Sequence, residues 1–275
     1  MIRGKTHWLS LFFFVTLVAV FPAWSSAQSQ PQLLRVAAAA DLQFAMPDLA
    51  AQFEKRTGTK VNVTYGSSGN FYSQLQNGAP FDLFFSADID YPKSLEAAGL
   101  AESGTLYKYA AGRIAIWMPA DVRVDVVGQG WNALLDSAVQ KIAIANPEHA
   151  PYGRAAVAAL KKAGMYEQVK AKLVYGENIS QAAQFVQSGN AQAGIVAMSL
   201  ALSPGMKDGK RWEIPAEMHP PIVQAAIVLK SAKNKKDALA FLEFVKSEPG
   251  RATFSNYGFG LPATLAVPPI PPLHK

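Results

Sequence analysis

Short apolar runs alternate with stretches whose apolar positions recur every three or four residues. Leu33–Ala39 is a continuous apolar run, as expected of a strand buried on both faces. The pattern then changes period. Leu42, Ala45, Leu49 and Phe53 fall on one face of a helix over 41–57, with Gly58 as its C-cap. Pro47 lies inside that span, so the helix is either kinked or starts near Ala45. Residues 60–65 alternate and predict a second strand. A short helix over 70–76 ends at Asn77-Gly78. A third strand over 81–86 leads to a helix over 91–98 that stops at Gly99. Such a β-α-β-α-β-α series builds a parallel sheet with helices on its faces.

A second series follows. Residues 113–118, 141–145, 172–175, 193–197 and 222–229 read as strands. Helices are expected over 152–162, stopped by Gly164, and over 179–187, stopped by Gly189. Beyond them lie a helix over 235–246, with Leu239, Leu242 and Phe244 apolar, and another over 248–255. The Pro-rich tail 261–275 reads as irregular. Two series predict an α/β fold of two lobes, each a mostly parallel sheet flanked by helices. The expected division is 28–110 for lobe 1, with 232–275 returning to it, and 111–231 for lobe 2.

Four strand-to-helix junctions carry small or polar residues: Ala39-Ala40-Asp41, Gly66-Ser67-Ser68-Gly69-Asn70, Pro151-Tyr152-Gly153 and Glu177-Asn178-Ile179-Ser180. Each puts unpaired backbone N–H groups at a helix N-terminus, where the helix dipole favours negative charge. In open parallel sheets, ligands bind beyond the carboxyl ends of strands, where all four junctions lie. An anion held between two lobes could touch all four, the geometry of a clamshell binding protein. No Arg or Lys stands inside the first two junctions, so hydrogen bonds rather than a countercharge would do the selecting.

Composition narrows the setting. Residues 1–27 read as a signal peptide: Arg3 and Lys5, an apolar run from Trp8 to Val20, and a small-residue cleavage site at Ser25-Ser26-Ala27. The run is too short to be read first as a membrane span. The chain has no cysteine, hence no disulfide, no thiol nucleophile and no acceptor for a lipid anchor. A freely diffusing periplasmic monomer is the simplest expectation. The net charge is +6, or +4 without Arg3 and Lys5, and its basic residues are scattered. No basic stripe with interleaved aromatics points to nucleic acid.

Three segments carry a likeness: Val36-Ala37-Ala38-Ala39-Ala40-Asp41-Leu42, Tyr65-Gly66-Ser67-Ser68-Gly69-Asn70 and Asn77-Gly78-Ala79-Pro80-Phe81-Asp82-Leu83-Phe84-Phe85-Ser86-Ala87-Asp88. They resemble the periplasmic molybdate-binding proteins of ABC transporters. Ala145-Asn146-Pro147-Glu148-His149-Ala150-Pro151-Tyr152-Gly153, Gly194-Ile195-Val196 and Tyr257-Gly258-Phe259 extend the likeness to most of the chain. It implies a type II solute-binding clamshell with no cofactor and no catalysis. Its ligand would be molybdate, with tungstate as a close mimic, and its partner a membrane permease. Carried over by position, the ligand loops fall at Ala40 and Asp41, at Ser68 with Ser67 and Gly69 beside it, at Tyr152, and at the backbone N–H of Ile179. A family Tyr falls at Ala197, so Tyr152 is expected to replace its hydroxyl.

Asp41 departs from the family, which has a hydroxyl residue there. A carboxylate facing a dianion is repulsive by several kcal/mol in a dry site. Asp41 is therefore expected to cap its own helix, accepting from the N–H of Gln43 or Phe44 and leaving only its own N–H for the ligand. The alternative is a ligand that carries a proton. Sulfate or phosphate is the runner-up within the class. From another class comes a secreted serine hydrolase using Ser68 and His149, although Ser68 lacks the Gly-x-Ser-x-Gly elbow. Ser67-Ser68-Gly69 also fits a plain helix cap, and Asp82 and Asp88 read as turn and capping residues.

Overall fold

The computed structural model describes Met1, Ile2 and residues 33–260; residues 3–27 of the expected signal peptide and the Pro-rich tail lie outside these. The strands in chain order are β1 (Leu33–Ala39), β2 (Lys60–Gly66), β3 (Leu83–Ser86), β4 (Tyr107–Gly112), β5 (Ile114–Met118), β6 (Ile142–Ala145), β7 (Leu173–Gly176), β8 (Ala193–Ala197), β9 (Lys210–Glu213) and β10 (Ile222–Val228). The helices are α1 (Ala45–Thr57), α2 (Ser68–Gln76), α3 (Asp90–Ala97), α4 (Val126–Gln129), α5 (Pro151–Lys162), α6 (Tyr166–Val169), α7 (Ile179–Gln187), α8 (Met198–Ala201), α9 (Lys235–Lys246) and α10 (Glu248–Asn256). None of these helices is long and apolar enough to cross a membrane.

Two five-stranded sheets result, ordered β2-β1-β3-β10-β4 and β7-β6-β8-β5-β9. Both are mixed. In each, four strands run one way and a single strand, β10 in the first sheet and β5 in the second, runs against them. The chain leaves the first sheet at Arg113, between β4 and β5, and re-enters it with β10. The first sheet keeps the chain to Gly112 at the end of β4 and regains it with β10 at Ile222, ahead of the expected return at 232. The apolar run of β10 suits either sheet; its antiparallel pairing with β3 is a tertiary choice.

Local chemistry explains the main elements. Pro47 is the third residue of α1, where no intrahelical N–H bond is lost, so the helix begins at Ala45 after a 3₁₀ turn at Ala40–Leu42. Gly58 ends α1 with φ of 75°, a left-handed conformation that costs glycine little. In α9 the buried face is Ala238, Phe241, Leu242 and Val245, whereas Leu239 is exposed. Lobe 1 packs an aromatic cluster in which Phe53 meets Phe241 edge-on at 5.0 Å and Tyr109 lies 5.0 Å from Phe254. Asp82 is fully buried and accepts from the N–H groups of Arg35 and Lys233, tying β1 to the turn before α9. That fixes the amino-terminal half of β1 relative to the turn before α9.

Candidate functional site

The carboxyl ends of β1, β2, β6 and β7 face one another across the two lobes. They line a small cavity of about 10 Å³ walled by Ala40, Asp41, Ser67, Ser68, Tyr152 and Ile179, with Ala87 and Asn178 among its other walls. No Lys or Arg lines it among the described residues. Gly69 stands just outside. Its N–H donates to the carbonyl of His149 at 3.0 Å, a backbone bond between lobes. A Cβ on Gly69 would lie 2.5 Å from that carbonyl oxygen, so this approach requires glycine.

The donors around the cavity are fixed by local hydrogen bonds. Ser68 Oγ accepts from the N–H of Ala87 at 2.9 Å, which leaves its own proton free to donate. Ser67 caps α2, accepting from the Asn70 N–H at 3.3 Å, and lies 2.9 Å from His149 Nδ1. Asn178 caps α7 by accepting from the Gln181 N–H at 3.0 Å. Ile179, the first residue of α7, therefore offers an N–H that has no partner within the helix. Ala197 is buried at the end of β8 and does not line the cavity.

Asp41 does not cap a helix, and that expectation is corrected. The Gln43 N–H goes to the carbonyl of Ala40 instead, and the Asp41 side chain turns inward, fully buried. Its Oδ2 accepts from the Tyr152 hydroxyl at 2.8 Å and from Gln224 Nε2 at 2.6 Å. Its Oδ1 is buried with no partner. The Gln224 amide also donates to the Tyr152 oxygen at 2.8 Å, while its Oε1 accepts from Tyr109 at 2.7 Å. β10 shifts register against β4 just after Gln224, the kind of irregularity that re-aims a side chain. Burial pushes the Asp41 carboxyl up to about 6, against the opposing pull of hydrogen bonds from Gln224, Tyr152 and its own backbone N–H. Burial, and then the Asp41 charge, pushes the Tyr152 and Tyr109 hydroxyls well above 10, so both stay protonated. An ionised Asp41 about 4 Å from a ligand charge would cost about 4 kcal/mol per unit charge at an effective dielectric of 20.

Side chains also join the lobes around the cavity. Arg154 pairs with Asp88 at 2.6 Å and reaches the Tyr91 hydroxyl at 3.2 Å. Ser180 donates to Gln43 at 2.5 Å, and the Ser199 hydroxyl donates to the Asp41 carbonyl at 2.9 Å. The lobes are thus shut on the cavity. Gln224, Tyr109, Arg154 and Ser199 were absent from the sequence reading. Gln224 alone left a trace, as a lone polar residue within the apolar run of β10. The hydrolase arrangement does not form, because His149 meets the capping Ser67 and not Ser68.

The model of the family described as bacterial extracellular solute-binding protein matches residues 34–260. The chain belongs to the bacterial extracellular solute-binding proteins. It is 39% identical over 246 residues to the molybdate-binding protein ModA of Azotobacter vinelandii, covering 89% of this chain and 96% of that one. To ModA of Rhodobacter capsulatus it is 38% identical over 226 residues, covering 82% and 87%. Among solved structures, the periplasmic molybdate-binding protein of Azotobacter vinelandii superposes with a TM-score of 0.77 at 35% identity, over 83% of this chain and 99% of that one. The two-lobed architecture is that of this solute-binding family.

Proposed function

We propose that this protein is a periplasmic receptor that captures molybdate, with tungstate as its close mimic, and delivers it to the permease of an ABC importer. One observation carries the reading: a small cavity at four strand ends, lined by helix N-termini and hydroxyls from both lobes, with no Lys or Arg among the described residues on its wall. Ala40, Asp41 and Ile179 are assigned backbone donation, Ser68 a hydroxyl donor, and Ser67 and Gly69 the shaping of the second loop. Tyr152 is assigned to the ligand wall from the third loop. No bond is made or broken; the work is capture, closure and release. Residues 1–27 are assigned to export and cleavage, and the mature protein to a monomer without a lipid anchor. The relatives named for molybdate support the choice of ion.

A second reading has its own observation. The partnerless Oδ1 of Asp41 favours a ligand that brings a proton, so hydrogenphosphate is the competing cargo. Titration calorimetry with molybdate, tungstate, sulfate and phosphate tests both. Molybdate and tungstate are expected to bind tightest. Sulfate, being smaller, cannot reach all the donors at once. Phosphate or sulfate binding as tightly as molybdate would displace the proposal.

A further inference from the structure

We propose that Asp41 is a proton-sharing specificity residue: the cavity binds a dianionic oxyanion together with one proton, held between Asp41 Oδ1 and a ligand oxygen. The inference rests on the oxyanion reading of the cavity and adds a linkage to it.

The geometry leaves one place for that proton. Asp41 Oδ2 already accepts two hydrogen bonds, from Tyr152 and Gln224. The Tyr109 hydroxyl lies 2.7 Å from Gln224 Oε1 and 3.2 Å from the Ser86 carbonyl, and the Gln224 amide nitrogen faces Asp41. Oδ1 is fully buried, has no donor, and belongs to a residue that lines the cavity. An ionised carboxylate here leaves a buried oxygen unpaired and opposes a dianion. A carboxyl protonated at Oδ1 does neither. It becomes an O–H donor, supplying from an acid what a hydroxyl residue would supply at this position. The step balances simply: carboxylate, dianion and one proton from solvent give a neutral carboxyl bonded to the dianion. A ligand that already carries a proton would place it on the same line and take up none.

The other titratable groups facing Asp41 are Tyr152 of α5 and Tyr109 of β4, both held neutral by burial. Gln224 of β10 and Ser199 of α8 do not titrate. Free Asp41 is about half ionised near pH 6. Above that pH each bound dianion must draw in one proton, and affinity falls about tenfold per pH unit. His149 lies nearby, on Ser67, and is the imidazole to exclude.

The test is calorimetry of the mature protein with sodium molybdate at about pH 5, 6.5 and 8, in buffers of differing ionisation enthalpy. The expected result is an uptake of about one proton per molybdate at pH 8 and about none at pH 5. His149→Gln should keep the uptake. Asp41→Asn, whose amide N–H₂ imitates the protonated carboxyl, should bind with no uptake and a flat pH profile. Tight binding that is flat with pH and takes up no proton would overturn the inference. If molybdate fails to bind at any pH, the cargo reading falls, and sulfate and phosphate take its place in the calorimeter. Uptake of one proton with sulfate and none with hydrogenphosphate would uphold the linkage; equal counts, or no binding by either, would overturn it.

Discussion

Tyr152 and Asp41 stand 111 residues apart in sequence and on opposite lobes, yet the tyrosine hydroxyl donates to Asp41 Oδ2 at 2.8 Å in a fully buried contact. This bond is both a latch between lobes and a determinant of the Asp41 charge. Tyr152→Phe removes the donor and leaves Gln224 alone on Oδ2. The Asp41 carboxyl is then expected to rise further above about 6, since one of the two side-chain bonds opposing burial is lost. By the proton linkage, a higher Asp41 value moves the onset of proton uptake with it, so the pH above which molybdate affinity falls should shift upward. Carboxyl NMR titration and calorimetry read the two effects, and an unmoved carboxyl would detach Tyr152 from Asp41 electrostatics.

Ser68 has one role toward the protein and one toward the cavity. Its oxygen accepts from the Ala87 N–H, which leaves its proton for a ligand. Ser68→Ala should weaken molybdate binding by roughly tenfold to a hundredfold and leave the Ala87 amide unpaired, at about 1–3 kcal/mol of stability. Calorimetry and thermal melting separate the two. Lost stability with unchanged affinity would make Ser68 a structural residue only.

Gly69 tests closure. A Cβ there meets the His149 carbonyl of the other lobe at 2.5 Å, against backbone that cannot swing aside. Gly69→Ala should leave each lobe folded, with little change in melting temperature, yet keep the lobes from shutting fully. Molybdate affinity should drop by more than about tenfold, and small-angle scattering with ligand should show a more open particle than the parent. Full compaction on ligand addition would refute the clash.

Asp41 makes the stability of the free protein depend on pH. Its folded value, about 6, lies above the ordinary 3.8 because of burial. A raised carboxyl contributes stability that is fully present below about pH 4 and lost as pH rises through about 6. The linkage amounts to about 3 kcal/mol. Other carboxylates titrate in the same range, so the informative quantity is a difference. Asp41→Asn should become progressively more stable relative to the parent between about pH 4 and pH 7, and stay parallel to it above. Urea unfolding at several pH values measures this, and a constant offset would show that Asp41 does not carry the linkage.

The sequence by itself determined the elements and the places where they expose polar backbone. Leu33–Ala39, Ala193–Ala197, Ile179–Gln187 and Lys235–Lys246 were legible to the residue, because hydrophobic period and helix-ending glycines are local signals. The four junctions were legible for the same reason, and they supply most of the cavity wall, with Ala87 and Ala150 coming from elsewhere. β4 and β9 were not. β9, Lys-Arg-Trp-Glu, is an edge strand whose charges suit solvent and hide its pairing, and β4 is a strand only because β10 lies beside it. Only tertiary structure decided that β10 belongs to the first sheet, which carries Gln224 to Asp41. The same holds for the direction of the Asp41 side chain. A local rule makes aspartate at a helix start a cap, but a donor pair from β10 and α5 outweighs a single backbone N–H. Those donors lie 183 and 111 residues away along the chain, where no local pattern reaches.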